Sequence, residues 1–368
     1  MASPVYFARV RARSPSENKI SRVRALFERA GFAGHLKPGE TTAIKLHFGE
    51  AGSDGYINPV FVRQVVDKVK ESGSRPFLTD TNTLYLGSRA DAVDHITTAI
   101  SHGFDYAVVN APVIIADGLR GSNVTPVLVQ GRHFSSVMIA GDIAAARSMI
   151  VLTHFKGHEV AGFGGAIKNL AMGCATPAGK REQHSARPTV VRDLCIGCRT
   201  CLPVCPEHAI EIDEGSALIS RDRCIGCFEC MTVCPEHAID VDWETDIPSF
   251  TERMVEYAAG AVQTKQGRIG YMNFLLNITP DCDCVPWSDL AIVPDIGILA
   301  SDDPVAIDAA SFDLVNQQIG YPDSMLTDHF AAGEDKFAGL RCVTDGRRQV
   351  QYAEEIGLGT RAYDLIEI

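Results

Sequence analysis

The chain has 368 residues, of which 46% are hydrophobic and 22% charged, so it can bury a sizeable core and build two or three domains. Its formal net charge of −12 argues against a nucleic-acid or anionic-membrane partner. The opening run MASPVYFARVRARS lacks the apolar core of a secretory signal, and no stretch has the roughly 18 apolar residues of a membrane span. We therefore expect a cytoplasmic protein whose twelve cysteines are metal ligands rather than disulfides.

The first 150 residues alternate strand-like and helix-like segments. Strands are predicted over 5–10, 42–48 and 76–80, and helices over 21–30 and 59–70. This β-α-β-α-β order favours an α/β fold with a largely parallel sheet, in one lobe or two.

The same alternation continues on both sides of a cysteine-rich middle segment. A short apolar strand over 149–153 precedes a glycine-rich turn and a helix over 166–172. After the cysteines, a helix over 250–262 and a strand over 269–278 are predicted. A buried helix through 306–315 should follow the run SDDP, which places capping side chains before a first-turn proline.

Eight cysteines in the middle segment form two copies of the spacing C-x2-C-x2-C-x3-C-P, 29 residues apart. The runs CIGC and VCPEHAI recur in both copies, so the segment is an internal duplication. Three thiolates on such a loop wrap one corner of a [4Fe–4S] cubane, and the fourth cysteine ligates the other cluster. Cluster one is thus predicted to use Cys195, Cys198, Cys201 and Cys234, and cluster two Cys224, Cys227, Cys230 and Cys205.

This segment resembles two-cluster bacterial ferredoxins at all eight ligand positions, which implies one-electron transfer at low potential. Zinc also uses paired CxxC units, but a zinc ion needs only four ligands, so two full copies favour iron–sulfur clusters. We predict a small α+β ferredoxin-like domain over 189–246, inserted into one α/β domain that comprises residues 1–188 and 247–368. Three independent domains in series are the alternative.

Polar residues follow several of the predicted strands. Lys45 and His47 end one strand, Asp80 another, and His154 and Lys156 a third. Ligands of open parallel sheets bind beyond the carboxyl ends of the strands, so these residues could line one cleft. The lysines would supply positive charge, and Asp80 could act as a ligand or a base.

The glycine-rich turn leads into a helix whose first N–H groups could bind an anion or an anionic cofactor. The residues expected at this site are Gly162, Gly164, Gly165, Lys156 and Lys168, with Lys45 and Asp80 nearby. The run matches neither the P-loop nor the dinucleotide fingerprint. Glycines that serve only close packing are the alternative.

Two further cysteines, Cys282 and Cys284, flank an aspartate after a strand. In an extended segment their side chains would face the same side, so both could address an additional metal or form a redox pair. His154, His158 or His184 could complete a metal site. Two reduced thiols in a loop are the alternative.

Six runs together resemble the iron–sulfur-centre proteins of the domain-of-unknown-function 362 family. They are KLHFGE, DTNTLY-GSR, THFKGH, GFGGAIKNLAMGCA, NFLLNITPDCDC and VPDIGILASDDPVAIDAAS. The resemblance implies an α/β domain interrupted by a two-cluster module, and it implies no particular reaction.

We expect an iron–sulfur protein that transfers electrons to or from a site in the α/β domain. It would be a reductase-like oxidoreductase or the electron-transfer subunit of one, with a redox protein or a small molecule as partner. The alternatives are a pure electron carrier or metal or cofactor assembly factor without its own catalysis, and a binding protein whose clusters only stabilise the fold.

Overall fold

The structure is a computed structural model that describes residues 2–85, 87–184, 187–227, 229–240 and 246–368. Met1, Leu86 and residues 185–186, which belong to the predicted α/β domain, lie outside the described residues, as do Phe228 and 241–245 of the predicted insert.

Strands occur along the whole described chain. In chain order they are β1 (Ser3–Arg9), β2 (Thr41–Lys45), β3 (Arg75–Asp80), β4 (Val113–Ile115), β5 (Val124–Leu128), β6 (Ser136–Ala140), β7 (Ser148–His154), β8 (Lys156–His158), β9 (Gly162–Gly164), β10 (Thr189–Val190), β11 (Ile210–Asp213), β12 (Ser216–Ile219), β13 (Ile239–Asp240), β14 (Ile269–Leu275), β15 (Gly297–Ser301) and β16 (Tyr363–Glu367).

The helices alternate with these strands. They are α1 (Lys19–Arg29), α2 (Pro59–Glu71), α3 (Ala92–Ser101), α4 (Tyr106–Val109), α5 (Gly141–Ala145), α6 (Ala166–Cys174), α7 (Pro177–Gln183), α8 (Glu229–Thr232), α9 (Asp246–Gln263), α10 (Pro304–Asn316), α11 (Lys336–Leu340) and α12 (Arg347–Glu355). Short 3-10 turns lie at Pro15–Glu17, Phe32–His35 and Arg192–Leu194. None of the described helices is long and apolar enough to cross a membrane.

An eight-stranded sheet, in the order β16-β1-β15-β14-β7-β2-β3-β4, forms the centre of the fold. Its neighbours pair in parallel except at β15, which runs antiparallel to both β1 and β14. The predicted α/β fold with a largely parallel sheet is therefore confirmed. Strands β7 and β14 pair side by side although the cysteine-rich segment separates them in sequence.

Local sequence explains the main elements. Strand β7 is buried at every position, as its apolar run predicts. Its side chains alternate between two hydrophobic cores: Met149 and Val151 face one, and Ile150 and Leu152 face the other. Helix α10 begins where SDDP predicts, because the Asp303 carboxylate accepts the N–H groups of the first turn.

The cysteine-rich segment has its own small core, formed by Cys201, Ile210, Ala217, Cys230 and Ile239. Strands β10 and β13 close its base as an antiparallel pair, and β11 and β12 form a hairpin.

The duplicated VCPEHAI runs make the same turn twice. His208 and His237 adopt φ values of 47° and 48°, and the next N–H group donates to Cys205 Sγ at 3.2 Å in one copy and to Cys234 Sγ at 3.3 Å in the other.

Candidate functional site

The carboxyl ends of parallel strands β2, β3 and β7 meet at one edge of the sheet, as the sequence predicts, and open into a cavity that we call the central cleft. The cleft has a cavity volume of about 160 Å³, enough for a small molecule. Its lining includes nine residues singled out in the sequence, namely Lys45, His47, Asp80, His154, Lys156, His158, Lys168, Cys282 and Cys284.

Lys45 and Asp80 form a buried ion pair at the ends of β2 and β3. Lys45 Nζ lies 3.0 Å from Asp80 Oδ1 and also donates to Asn169 Oδ1 at 2.7 Å. Burial would raise the pKa of Asp80, but attraction to Lys45 and the surrounding cationic groups is stronger in sum and holds it below its usual range. Asp80 is therefore an ionised structural anion at neutral pH rather than a free base.

Asp283 is the second buried anion, and it holds two side chains from β7 and β8. Its carboxylate lies 2.9 Å from His154 Nδ1 and 2.8 Å from Lys156 Nζ. His154 Nε2 faces the carbonyl oxygens of Leu276 and Asn277 at 3.0 and 2.9 Å. Both ring nitrogens of His154 thus face acceptors, so neither directs a lone pair at the cleft.

The hydrogen bonds of the cleft histidines His47 and His158 assign their tautomers. His47 Nδ1 accepts the Gly49 N–H at 3.0 Å, and His158 Nδ1 accepts the N–H groups of Val160 and Ala161 at 3.1 and 3.0 Å. The neutral rings therefore have their proton on Nε2. Burial and the nearby Arg89 lower the pKa of His47 to about 3, so this ring is neutral at physiological pH.

Cys282 and Cys284 lie in a turn, closed by a hydrogen bond from Val285 N to Cys282 O at 3.1 Å. The predicted extended segment is wrong here, yet both cysteines still line the central cleft. Lys168 Nζ lies 3.4 Å from Cys282 Sγ. The hydrogen bond from Cys284, with Lys168, His158 and Lys156, lowers the pKa of Cys282 well below its ordinary value, whereas the same contact raises that of Cys284.

The cysteine-rich segment forms one wall of the central cleft. Cys227 and Glu229 line the cleft, and His184 of the α/β domain contacts the backbone of Gly226. Burial and the nearby acidic groups raise the pKa of Glu229 to about 7. A predicted ligand of cluster two therefore borders the same space as Cys282 and Cys284.

A second, smaller cavity lies inside the cysteine-rich segment. Its lining includes all four predicted ligands of cluster one, namely Cys195, Cys198, Cys201 and Cys234. Cys230 is within electrostatic range of Cys224, Cys227 and Cys205, the other predicted ligands of cluster two. Backbone N–H groups also point at the sulfurs, as Ala217 N does at Cys195 Sγ at 3.4 Å. These thiol groupings and N–H···S contacts suit iron–sulfur clusters.

As the side chains stand, no three histidine, cysteine or acidic groups among the described residues converge tightly enough to hold a metal ion. The additional metal at Cys282 and Cys284 stays a prediction.

Comparison with known proteins identifies the family. The model of the family described as "Domain of unknown function (DUF362)" matches residues 42–313, most of the chain. The chain belongs to the DUF362 family. No curated protein matches it significantly.

Among solved structures, the lactate racemase apoprotein from Thermoanaerobacterium thermosaccharolyticum is similar to this DUF362 protein at 11% identity and a TM-score of 0.41. The alignment covers 88% of this chain and 60% of that one, and a likeness this distant supports no functional assignment.

Two cationic residues of the DUF362 cleft were missed by the sequence reasoning. Arg89 is buried between Glu50, whose Oε2 lies 3.1 Å from Nε, and Asp80, whose Oδ2 lies 3.7 Å from Nη1. Lys180 on α7 donates to Thr81 Oγ1 at 2.6 Å, and burial lowers its pKa to about 8. The run DTNTLY-GSR contains Arg89, but no local pattern distinguishes an arginine that turns inward from a solvated one.

The predicted anion site at the glycine-rich turn needs correction. Gly162–Gly164 forms strand β9, which pairs with β8, and the first N–H groups of α6 are not free. Ala166 N and Ile167 N donate to the buried Asp308 carboxylate at 2.7 and 2.9 Å. A Cβ at Gly165 would lie 2.5 Å from Asp308 Oδ1, so this glycine allows the close approach of the carboxylate.

The other residues of that predicted site have different surroundings. Gly164 lines the cleft beside the stems of Lys156 and Lys168, whereas Gly162 does not belong to the lining. Lys156 pairs with Asp283 and Lys168 with Cys282, so neither lysine faces an anion pocket formed by the helix.

Replacing Asp308 by alanine should destabilise the fold, because it leaves two buried N–H donors of α6 without acceptors. We expect the free energy of unfolding, measured by urea denaturation, to fall by about 3 kcal/mol. Asp313→Ala on the exposed side of α10 is the matched control: it removes only an exposed hydrogen bond from Tyr363 Oη and should cost less than about 1 kcal/mol. Equal stability of both variants would mean that the α6 N-terminus does not need this carboxylate.

Replacing Asp80 by asparagine should also destabilise the protein, because Lys45 and Arg89 lose a buried counter-charge. At pH 7 we expect a loss of about 3 kcal/mol in the free energy of unfolding. The folded pKa of Asp80 lies below its ordinary value of 3.8, so its contribution is fully present above that value and is lost as the pH falls below it. The difference between wild type and variant should therefore shrink in acid.

The half-buried Asp67 pairs with Arg63 at 3.0 Å and provides the control for the Asp80→Asn variant. Asp67→Asn should cost less than about 1 kcal/mol. A loss for Asp80→Asn that stays constant on both sides of the carboxyl pKa would contradict the ionised pair.

Proposed function

We propose that this protein binds two [4Fe–4S] clusters through its cysteine-rich segment and transfers electrons to or from a ligand in the central cleft. The observation that carries this proposal is the position of the thiols. The four predicted ligands of cluster one surround one cavity, although Cys234 comes from the other copy of the repeat. This exchange of the fourth cysteine is the arrangement that two cubane clusters need and that paired zinc sites do not.

The border between the cysteine-rich segment and the cleft supports electron transfer between cluster two and a ligand in the cleft. Cys227, a predicted ligand of cluster two, lines the central cleft together with residues from the ends of β2, β3 and β7. When bound, the clusters would supply single electrons at low potential. A ligand in the cleft would then lie beside Cys227, one of the residues that would hold cluster two.

The side chains of the cleft would position such a ligand and control its protonation. The buried cations Lys45 and Lys156 have carboxylate partners, so the lining is fixed before a ligand enters. Burial lowers the pKa of Lys180 to about 8, and burial with nearby acidic groups raises that of Glu229 to about 7, so both groups change protonation near neutral pH. They could exchange protons with a ligand that gains or loses electrons.

These features favour an oxidoreductase, or the electron-transfer subunit of one, over a pure carrier or assembly factor. A carrier would need no cavity of this size beside one cluster.

The first test is metal and acid-labile sulfide content of the chain purified without oxygen, read beside its EPR spectrum before and after dithionite. We expect about eight irons and eight sulfides per chain, and signals that respond to the reductant. Stoichiometric zinc in place of iron would overturn the proposal. Clusters that cannot be reduced or oxidised would instead assign them a purely structural role.

Replacing Cys205 by alanine tests the exchanged ligand. Because Cys205 belongs to the first copy but to the second cluster, the variant should lose iron from cluster two first, together with its EPR signal. The exposed Cys342 lies outside the segment, and Cys342→Ala should keep the full iron content. Two intact clusters in the Cys205 variant would contradict the exchange.

A further inference from the structure

The turn at Cys282 and Cys284 has a geometry that the proposed clusters do not explain. We propose that these two cysteines form a redox-active dithiol that exchanges with small disulfides entering the central cleft. The proposal concerns a separate pair of thiols and holds whether or not the chain carries iron.

The two thiols lie two residues apart in one turn, which is closed by the hydrogen bond from Val285 N to Cys282 O at 3.1 Å. Residues two apart in a tight turn have Cα atoms close enough for a disulfide, which forms at separations of about 4.4–6.8 Å. Both side chains line the cleft, so a small molecule in the cleft can reach them.

The two thiols have different surroundings. The Lys168 ammonium donates to Cys282 Sγ at 3.4 Å, and this contact favours negative charge on that sulfur. Cys284, two residues further along the turn, lines the same cleft. Cys282 is thus the nucleophile and Cys284 the resolving thiol, the division of roles that thiol–disulfide exchange needs.

Contacts from several sides fix the backbone around the pair. Cys282 N donates to Glu159 Oε1 at 3.3 Å, and Glu50 N donates to Asp283 O at 3.0 Å. The carboxylate of Asp281 pairs with Arg341, and that of Asp283 with His154 and Lys156. The backbone of the turn can therefore stay in position when the two cysteines are oxidised or reduced.

The neighbouring histidines suit a dithiol better than a metal ion. His158 Nδ1 already accepts two N–H groups, so Nε2 holds the proton and points no lone pair at Cys282. Both nitrogens of His154 face acceptors. The ammonium of Lys168 also places a positive charge 3.4 Å from Cys282 Sγ, which disfavours a metal cation there.

The exchange balances without another reactant. The Cys282 thiolate attacks one sulfur of a disulfide RSSR, forming a mixed disulfide and releasing RS⁻. Cys284 then attacks the Cys282 sulfur, its proton passes to the second departing RS⁻, and the products are the Cys282–Cys284 disulfide, RS⁻ and RSH. The cysteine pair loses two electrons, and the small disulfide gains them.

The experiment incubates the full chain, purified without oxygen, with bis(2-hydroxyethyl) disulfide. Free thiols are then blocked with iodoacetamide, and the peptide that contains both cysteines is weighed by mass spectrometry. Wild type should yield a peptide that has lost two hydrogens and takes up no alkyl groups. Cys284→Ser should retain the mixed disulfide on Cys282, because the resolving thiol is missing.

Cys282→Ser should form no adduct at Cys284, and Cys342→Ser should behave as wild type at this peptide. Full alkylation of both thiols in wild type would overturn the proposal, as would the absence of an adduct on Cys282 in the Cys284 variant. Protection that ends only when a chelator removes a stoichiometric metal would also overturn it, in favour of a metal site. Because the readout is one peptide, loss of iron from the cysteine-rich segment cannot imitate any of these results.

Discussion

The parallel pairing of β7 with β14 is the constraint on which the rest of the molecule depends. Its register sets Met149 against Ile269 and His154 against Phe274, so segments on either side of the cysteine-rich insertion become neighbours in one sheet. The end of β7 then lies beside the loop that follows β14, and His154 meets Asp283 there. Without this pairing, the residues of the cleft would belong to two unconnected regions of the chain.

Charge balance is the second organising feature of the cleft. Each of the buried cations Lys45, Arg89 and Lys156 contacts a carboxylate, and Lys168 contacts a sulfur that favours negative charge. A buried charge without a partner would cost several kcal/mol, so these pairs hold the strand ends in fixed positions. The cleft is therefore preorganised, with its polar groups already oriented before a ligand arrives.

The sequence was sufficient for features that depend on local pattern. Apolar runs and helix starts predicted strands such as β7 and helices such as α10, and the rule that parallel strand ends converge brought Lys45, Asp80 and His154 together. The sequence did not predict features that depend on long-range contacts. Asp308 lies more than 140 residues from the helix that it caps, and nothing near the glycine-rich turn indicates that its N–H groups are taken.

The same limit applies to Arg89 and Lys180, since inward orientation of a charged side chain is decided by partners elsewhere in the chain. The turn at Cys282 was predicted as an extended segment because the apolar run of β14 continues past Leu275 in the sequence. In the structure β14 ends at Leu275, and the chain then turns. The turn is held by hydrogen bonds between the Glu50 N–H group and Asp283 O and between the Cys282 N–H group and the Glu159 carboxylate.

The pairing of β10 with β13 places Thr189 directly opposite Asp240. The chain between these two residues leaves the α/β domain and returns to nearly the same point, so in polymer terms it is a closed loop. The entropy of closing such a loop depends only weakly on its length, about 0.6 kcal/mol for each doubling. The α/β sheet can thus accommodate the segment between β10 and β13 at little more entropic cost than a short surface loop.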